Sequence, residues 1–138
     1  MSRPRVLFLC THNSARSQMA EAFLRARAGD RFEAGSAGTE KTSVNPLAIR
    51  VMAERAIDIS GHTSKRYDDL APEPWDYLIT VCDDANERCP FVPGSVKRLH
   101  WSFEDPSRAA GSEEQRLSVF RRVRDQIQER LTGWLETR

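Results

Sequence analysis

Apolar positions along the chain fall into two rhythms. Val6 to Cys10 (VLFLC) is an uninterrupted apolar run, the pattern of a short strand buried on both faces of a parallel sheet. Met19, Ala20, Phe23 and Leu24 then recur at helical spacing, which predicts a helix from Ser14 or Ser17 to Ala28, ended by Gly29 and Asp30. Arg31 to Ala37 (RFEAGSA) reads as a second strand, with Gly35 and Gly38 marking the turn that follows. Asn45 and Pro46 suit the cap and first turn of a second helix, which runs through LAIRVMAERA and stops near Ile57. Ser60 to Pro74, holding Gly61 and Pro72, reads as an irregular connection. Asp76 to Val81 (DYLITV) and Val96 to His100 give a third and a fourth strand.

The last rhythm is the clearest. Leu117, Phe120, Val123, Ile127, Leu131 and Trp134 recur at three- and four-residue steps, the stripe of a long amphipathic helix. Strands alternating with helices predict an α/β fold, an open parallel four-stranded sheet flanked by helices. A length of 138 residues suits one domain, here 1–138, with no repeat or linker. The chain is long enough to bury a core without disulfides or a structural metal.

Composition narrows the function classes. Lys and Arg number 21 against 20 Asp and Glu, so net charge points neither to nucleic acid nor to a membrane surface. The apolar part of MSRPRVLFLC is too short for a signal peptide, and no segment approaches the roughly 18 apolar residues of a membrane span. The expected compartment is the cytoplasm. Three cysteines, an odd count in a reducing compartment, argue against a structural disulfide framework, so any disulfide is expected to be transient and chemical.

The candidate chemistry lies between the first strand and the first helix. In open α/β sheets ligands bind at the carboxyl ends of the strands, and Cys10 sits at such an end. Thr11, His12, Asn13, Ser14 and Ala15 offer backbone N–H groups at a helix N-terminus, whose partial positive charge attracts anions. Arg16 adds a planar fork that matches two oxygens of a tetrahedral oxyanion. A thiol at the centre of such a loop is expected to ionise readily and act as a nucleophile, with Ser17 able to donate to the thiolate. The bland alternative is a core cysteine and a solvated arginine. The preceding strand, the following helix and the serine after the arginine favour the functional reading.

VLFLCTHNSARSQMAEAFL resembles the phosphate-binding loop and first helix of the low-molecular-weight protein tyrosine phosphatase fold. Within that fold the chain is most similar to the thioredoxin-coupled arsenate reductases. The likeness continues through AGSAGT, NPLAIRVMAERAIDISGHTSK, DYLITVCDDANERCP and WSFEDPS. It implies a phosphatase-like fold with an anion-binding loop after strand 1, and an arsenate or phosphate oxyanion held by residues 11–17. It also implies that Asp105 is the general acid, whereas Asp-Pro by itself reads as a turn.

Cys82 and Cys89 separate reductase from phosphatase. Reducing As(V) to As(III) takes two electrons, and the resemblance implies a Cys10–Cys82 disulfide followed by a Cys82–Cys89 disulfide, reduced by thioredoxin. Taken alone, both residues could be small buried hydrophobes. A hydrolase of phosphate monoesters would need only Cys10. Zinc held by two cysteines and His12, His62 or His100 is a weaker alternative, because close ligand pairing is missing, and no cofactor or metal is expected. Some relatives hold potassium with residues matching Asn13, Glu21 and Ser36 plus a carboxylate where this chain has Lys65, so no potassium dependence is expected. Asn13 is expected to order the loop, Glu21 to be a solvated helix residue, and His12 to stand where many relatives have glycine. Several relatives carry a further cysteine in place of Ala15. The expected state is a monomer.

Overall fold

The computed structural model describes residues 3–40, 42–70, 74–81 and 96–138. The strands are β1 (Arg5–Cys10), β2 (Glu33–Gly38), β3 (Tyr77–Thr80) and β4 (Lys97–His100), and the helices α1 (Arg16–Ala28), α2 (Pro46–Ala53) and α3 (Glu113–Glu136). Among the described residues the four strands are all parallel, in the order β2-β1-β3-β4.

The order follows from which strands can be buried. Val6, Leu7, Phe8 and Leu9 are each fully buried, so β1 is covered on both faces and lies between two neighbours. At the edge, β4 is KRLH and mostly exposed. The chain leaves β1 for β2 on one side and returns to β3 on the other. Connections therefore diverge beyond the carboxyl end of β1, where an open α/β sheet forms its ligand crevice. Cys10 is the last residue of that strand.

Helix ends explain where the observed bounds differ from expectation. Asn45 caps α2 as predicted, its Oδ1 accepting from Leu47 N at 2.8 Å, with Pro46 in the first turn. The helix stops at Ala53 rather than near Ile57, because Ala56 adopts φ +60°. Ile57 N then donates to Met52 O at 3.1 Å and Ala56 N to Ala53 O at 2.9 Å, the paired bonds of a Schellman ending. In α3 every residue of the predicted stripe is buried. Its start is a capping box between Ser112 and Gln115.

Packing joins these elements into one core. Trp134 of α3 sits 5.4 Å from the Phe32 ring, 5.2 Å from Tyr77 and 6.1 Å from Trp101. Arg124, only 5% exposed, ties α3 to α2 through Val51 O at 2.9 Å and Glu54 at 2.7 Å. Among the described residues, no helix is long and apolar enough to cross a membrane.

Candidate active site

After Cys10 the chain must turn from β1 into α1 within residues 11–15. Asn13 makes the turn at φ +52°, a left-handed conformation that asparagine tolerates better than most residues. The Asn13 backbone N–H is thereby brought to 3.2 Å from Cys10 Sγ. Ser17 Oγ lies 2.8 Å from the same sulfur. Asn13 Nδ2 donates to Ser17 Oγ at 2.8 Å and to Ser36 Oγ at 3.0 Å. With Ser17 Oγ accepting from Asn13, the serine proton is left to point at the sulfur, an arrangement that suits a thiolate.

The loop carbonyls are drawn outward. Cys10 O accepts from Thr39 N, Thr11 O from Glu40 N, and Ser14 O from Asn45 N. His12 O accepts from Ser64 Oγ at 2.8 Å. In planar trans peptides an N–H points opposite the preceding carbonyl, so the outward His12 carbonyl turns the Asn13 N–H toward the sulfur. Ala15 occupies the N-cap of α1 and supplies no side-chain cap, so no side chain competes there for the first-turn donors. Strand β2 backs the loop through Gly38. A Cβ there would stand 2.6 Å from Thr11 O and 2.9 Å from Asn13 N, so only glycine allows the approach.

Arg16 is 8% exposed and opens α1. Its Nη1 donates to Phe103 O at 3.1 Å, and its Nη2 lies 3.6 Å from Asp105 Oδ2. The other Asp105 oxygen accepts from Ser107 N at 3.0 Å and Ser107 Oγ at 2.6 Å, capping the 3-10 turn Pro106–Arg108. Both readings of Asp105 thus have a structural counterpart: one oxygen makes the turn, the other faces the loop arginine.

Behind the loop lies a buried polar network. Asn13 Oδ1 accepts from Lys65 N at 2.9 Å and from Gln18 Nε2 at 3.0 Å. Gln18 also donates to Thr63 O at 2.9 Å and contacts His62 Nδ1 at 3.0 Å. Glu21 corrects the expectation of a solvated residue. It is 5% exposed, accepts from Ser36 Oγ at 2.6 Å and pairs with Arg25 at 2.7 Å. Burial lowers the pKa of His62 and of Lys65 below their usual ranges, with Glu21 opposing the shift in both. The donor set does not fit a potassium ion, because Glu21 is already met by a guanidinium and Lys65 brings an ammonium alongside.

His12 turns outward to Glu40, Nε2 to Oε2 3.1 Å. The structure brings Cys10, Asn13, Arg16, Ser17 and Asp105 around one loop, while Cys82 and Cys89 lie outside the described residues. Sequence reasoning missed Gln18, Ser64 and Phe103. Gln18 and Ser64 are buried polar residues inside the stretches that carry the family likeness, whose roles no spacing rule marks, and Phe103 contributes through its carbonyl, which no side-chain pattern reports.

A strand-end cysteine with the Asn13 amide at its sulfur and an arginine at the helix start defines a protein of the open α/β class with a cysteine-centred loop. The chain belongs to the family described as low molecular weight phosphotyrosine protein phosphatase, whose model matches residues 5–137. It is 46% identical to the arsenate reductase of Bacillus licheniformis, over 99% of each chain. A solved arsenate reductase in the phosphate binding state superposes with TM-score 0.76 at 32% identity, over 97% of this chain and 98% of that one. A thioredoxin-dependent arsenate reductase of Corynebacterium glutamicum matches at TM-score 0.72 and 30% identity, over 99% of this chain and 62% of that one.

Proposed function

We propose that this chain reduces arsenate to arsenite, with Cys10 as nucleophile. The observation that carries the reading is the near-full-length likeness to a protein named arsenate reductase. The Cys10 loop supports its first step. Arsenate enters the loop at the start of α1, where backbone N–H groups meet it, and Arg16 takes two of its oxygens. The Cys10 thiolate attacks arsenic, an As–O bond breaks, and Asp105 gives the departing hydroxide a proton, leaving a cysteine–arsenate adduct.

The later steps rest on the family likeness. Cys82 thiolate attacks Cys10 Sγ, and the S–As electron pair returns to arsenic, which leaves as arsenite. Cys89 then attacks Cys82, freeing Cys10, and the dithiol of thioredoxin reduces the Cys82–Cys89 disulfide. The whole of 1–138 acts as one domain, as a monomer in the cytoplasm, with no cofactor of its own. A second reading, hydrolysis of phosphate monoesters through a phosphocysteine, is favoured by the position of Asp105 beside Arg16. It is expected as a weak side activity, because phosphate and arsenate are near-isosteres.

The test is arsenate-dependent NADPH oxidation with thioredoxin and thioredoxin reductase. Wild type should turn over, and Cys10→Ser, Cys82→Ser and Cys89→Ser should each fail. A wild type silent there, yet hydrolysing p-nitrophenyl phosphate through Cys10 alone, would make this a phosphatase.

A further inference from the structure

A groove of about 740 Å³ lies between the end of β4, with the segment that follows it, and the C-terminal half of α3. Trp101 and Phe103 line it on the strand side, and Glu129, Arg130, Gly133 and Trp134 on the helix side. No residue of the Cys10–Ser17 loop lines it, so the groove is separate from the site described above.

Three features point to an occupant. Gly133 stands inside α3, where glycine costs a helix stability relative to alanine, yet a Cβ added there meets nothing within 4 Å. Packing among the described residues does not call for that glycine; its effect is to keep the floor of the groove open. Trp134 is only 8% exposed, and its indole N–H is buried with no hydrogen-bond partner, a rare state for a donor in a folded core. The guanidinium groups beside the groove rest on its rings: Arg130 lies 5.5 Å from the Trp101 centroid and Arg138 4.9 Å from the Trp134 centroid. Neither is in an ion pair among the described residues.

The lining selects the chemistry. The volume is that of a small-molecule pocket, and two indoles and a phenyl ring favour a flat aromatic body. Arg130 and Trp134 are four residues apart on α3, so they share one face, a turn apart, and one planar group can reach both. The guanidinium fork matches the two oxygens of a carboxylate. Glu129 lines the same groove and opposes further negative charge, which favours a monoanion over a phosphate dianion. We propose that this groove binds a small aromatic carboxylate, its ring over Gly133, its carboxylate on Arg130, and the Trp134 N–H meeting there the acceptor it lacks.

The probe is 2-naphthoate, titrated into the full chain by calorimetry and by NMR of the three indole N–H groups, with Trp134 assigned through Trp134→Phe. Wild type should bind with a Kd below about 1 mM, and the Trp134 indole proton should move downfield as it gains an acceptor. Acetate and 2-naphthalenemethanol, each lacking half of the match, should bind at least about tenfold more weakly. Gly133→Leu fills the floor with a good helix former and should abolish binding while urea unfolding shows an intact fold. Arg130→Gln should weaken binding at least about fivefold. Saturating phosphate should leave naphthoate bound. No binding by wild type, undiminished binding by either variant, equal affinity for the neutral alcohol, an unmoved Trp134 resonance or displacement by phosphate each overturns the proposal. So does tight binding of the acidic peptide acetyl-Glu-Phe-Glu-amide in place of naphthoate, which would give the groove to a protein partner.

Discussion

Replacing Asn13 separates two things that its side chain and backbone do. The side chain makes four hydrogen bonds, from Nδ2 to Ser17 and Ser36 and from Lys65 N and Gln18 to Oδ1. In Asn13→Ala, Ser17 keeps Cys10, Ser36 keeps Glu21 and Gln18 keeps Thr63 O, but the Lys65 N–H loses its acceptor. One orphaned donor and several lost bonds in a fully buried site should destabilise the fold by about 3 kcal/mol. Holding alanine at φ +52° adds about 1 kcal/mol. Asn13→Gly loses the same bonds without that strain, so it should be about 1 kcal/mol more stable than Asn13→Ala. Equilibrium urea unfolding measures both. The reasoning is refuted if alanine loses less than about 1 kcal/mol, or if glycine is no more stable than alanine.

Three further outcomes follow from the packing. Gly38→Ala would place a Cβ 2.6 Å from Thr11 O, so the loop must shift; phosphate binding by calorimetry should weaken at least tenfold, and unchanged affinity would contradict the close approach. Ala56→Gly relieves a non-glycine residue at φ +60° in an exposed helix ending, and should stabilise by about 0.5–1 kcal/mol in urea. Glu54 is held at a pKa of about 2 by the Arg121 hydrogen bond first, with Arg124 adding to it. Because its folded pKa is depressed, its contribution is present above about pH 4.5 and is lost as pH falls toward 2. With the Glu54 side chain 39% exposed, solvent screening limits that contribution to about 1 kcal/mol. Glu54→Gln should therefore be less stable than wild type at pH 7 and equal to it near pH 2; a gap that persists in acid would assign the effect to packing.

Much of the fold could be read from the chain because it depends on local pattern. VLFLC is apolar at every position, and only a strand covered on both faces hides all of it. The α3 stripe repeats through several turns, so its period could not be mistaken. The placement of the Cys10–Ser17 loop was equally readable, since it follows from an apolar strand and a helical period on either side.

Other features needed the third dimension. The end of α2 depended on Ala56 adopting a left-handed conformation, which no alanine advertises. Glu21 looked like a solvated helix residue because helical periodicity reports a face, not what packs on it. Only the fold brings Ser36 of β2 and Arg25 against that carboxylate and so lets it be buried. The Phe103 carbonyl likewise enters the site from 87 positions along the chain from Arg16. The strands, the long helix and the turn from Cys10 into α1 were legible in the chain, because each rests on neighbouring residues. Which charges face Asp105, which glycine backs the loop and which polar groups are buried behind it were decided by tertiary structure, because those energies depend on distance in space.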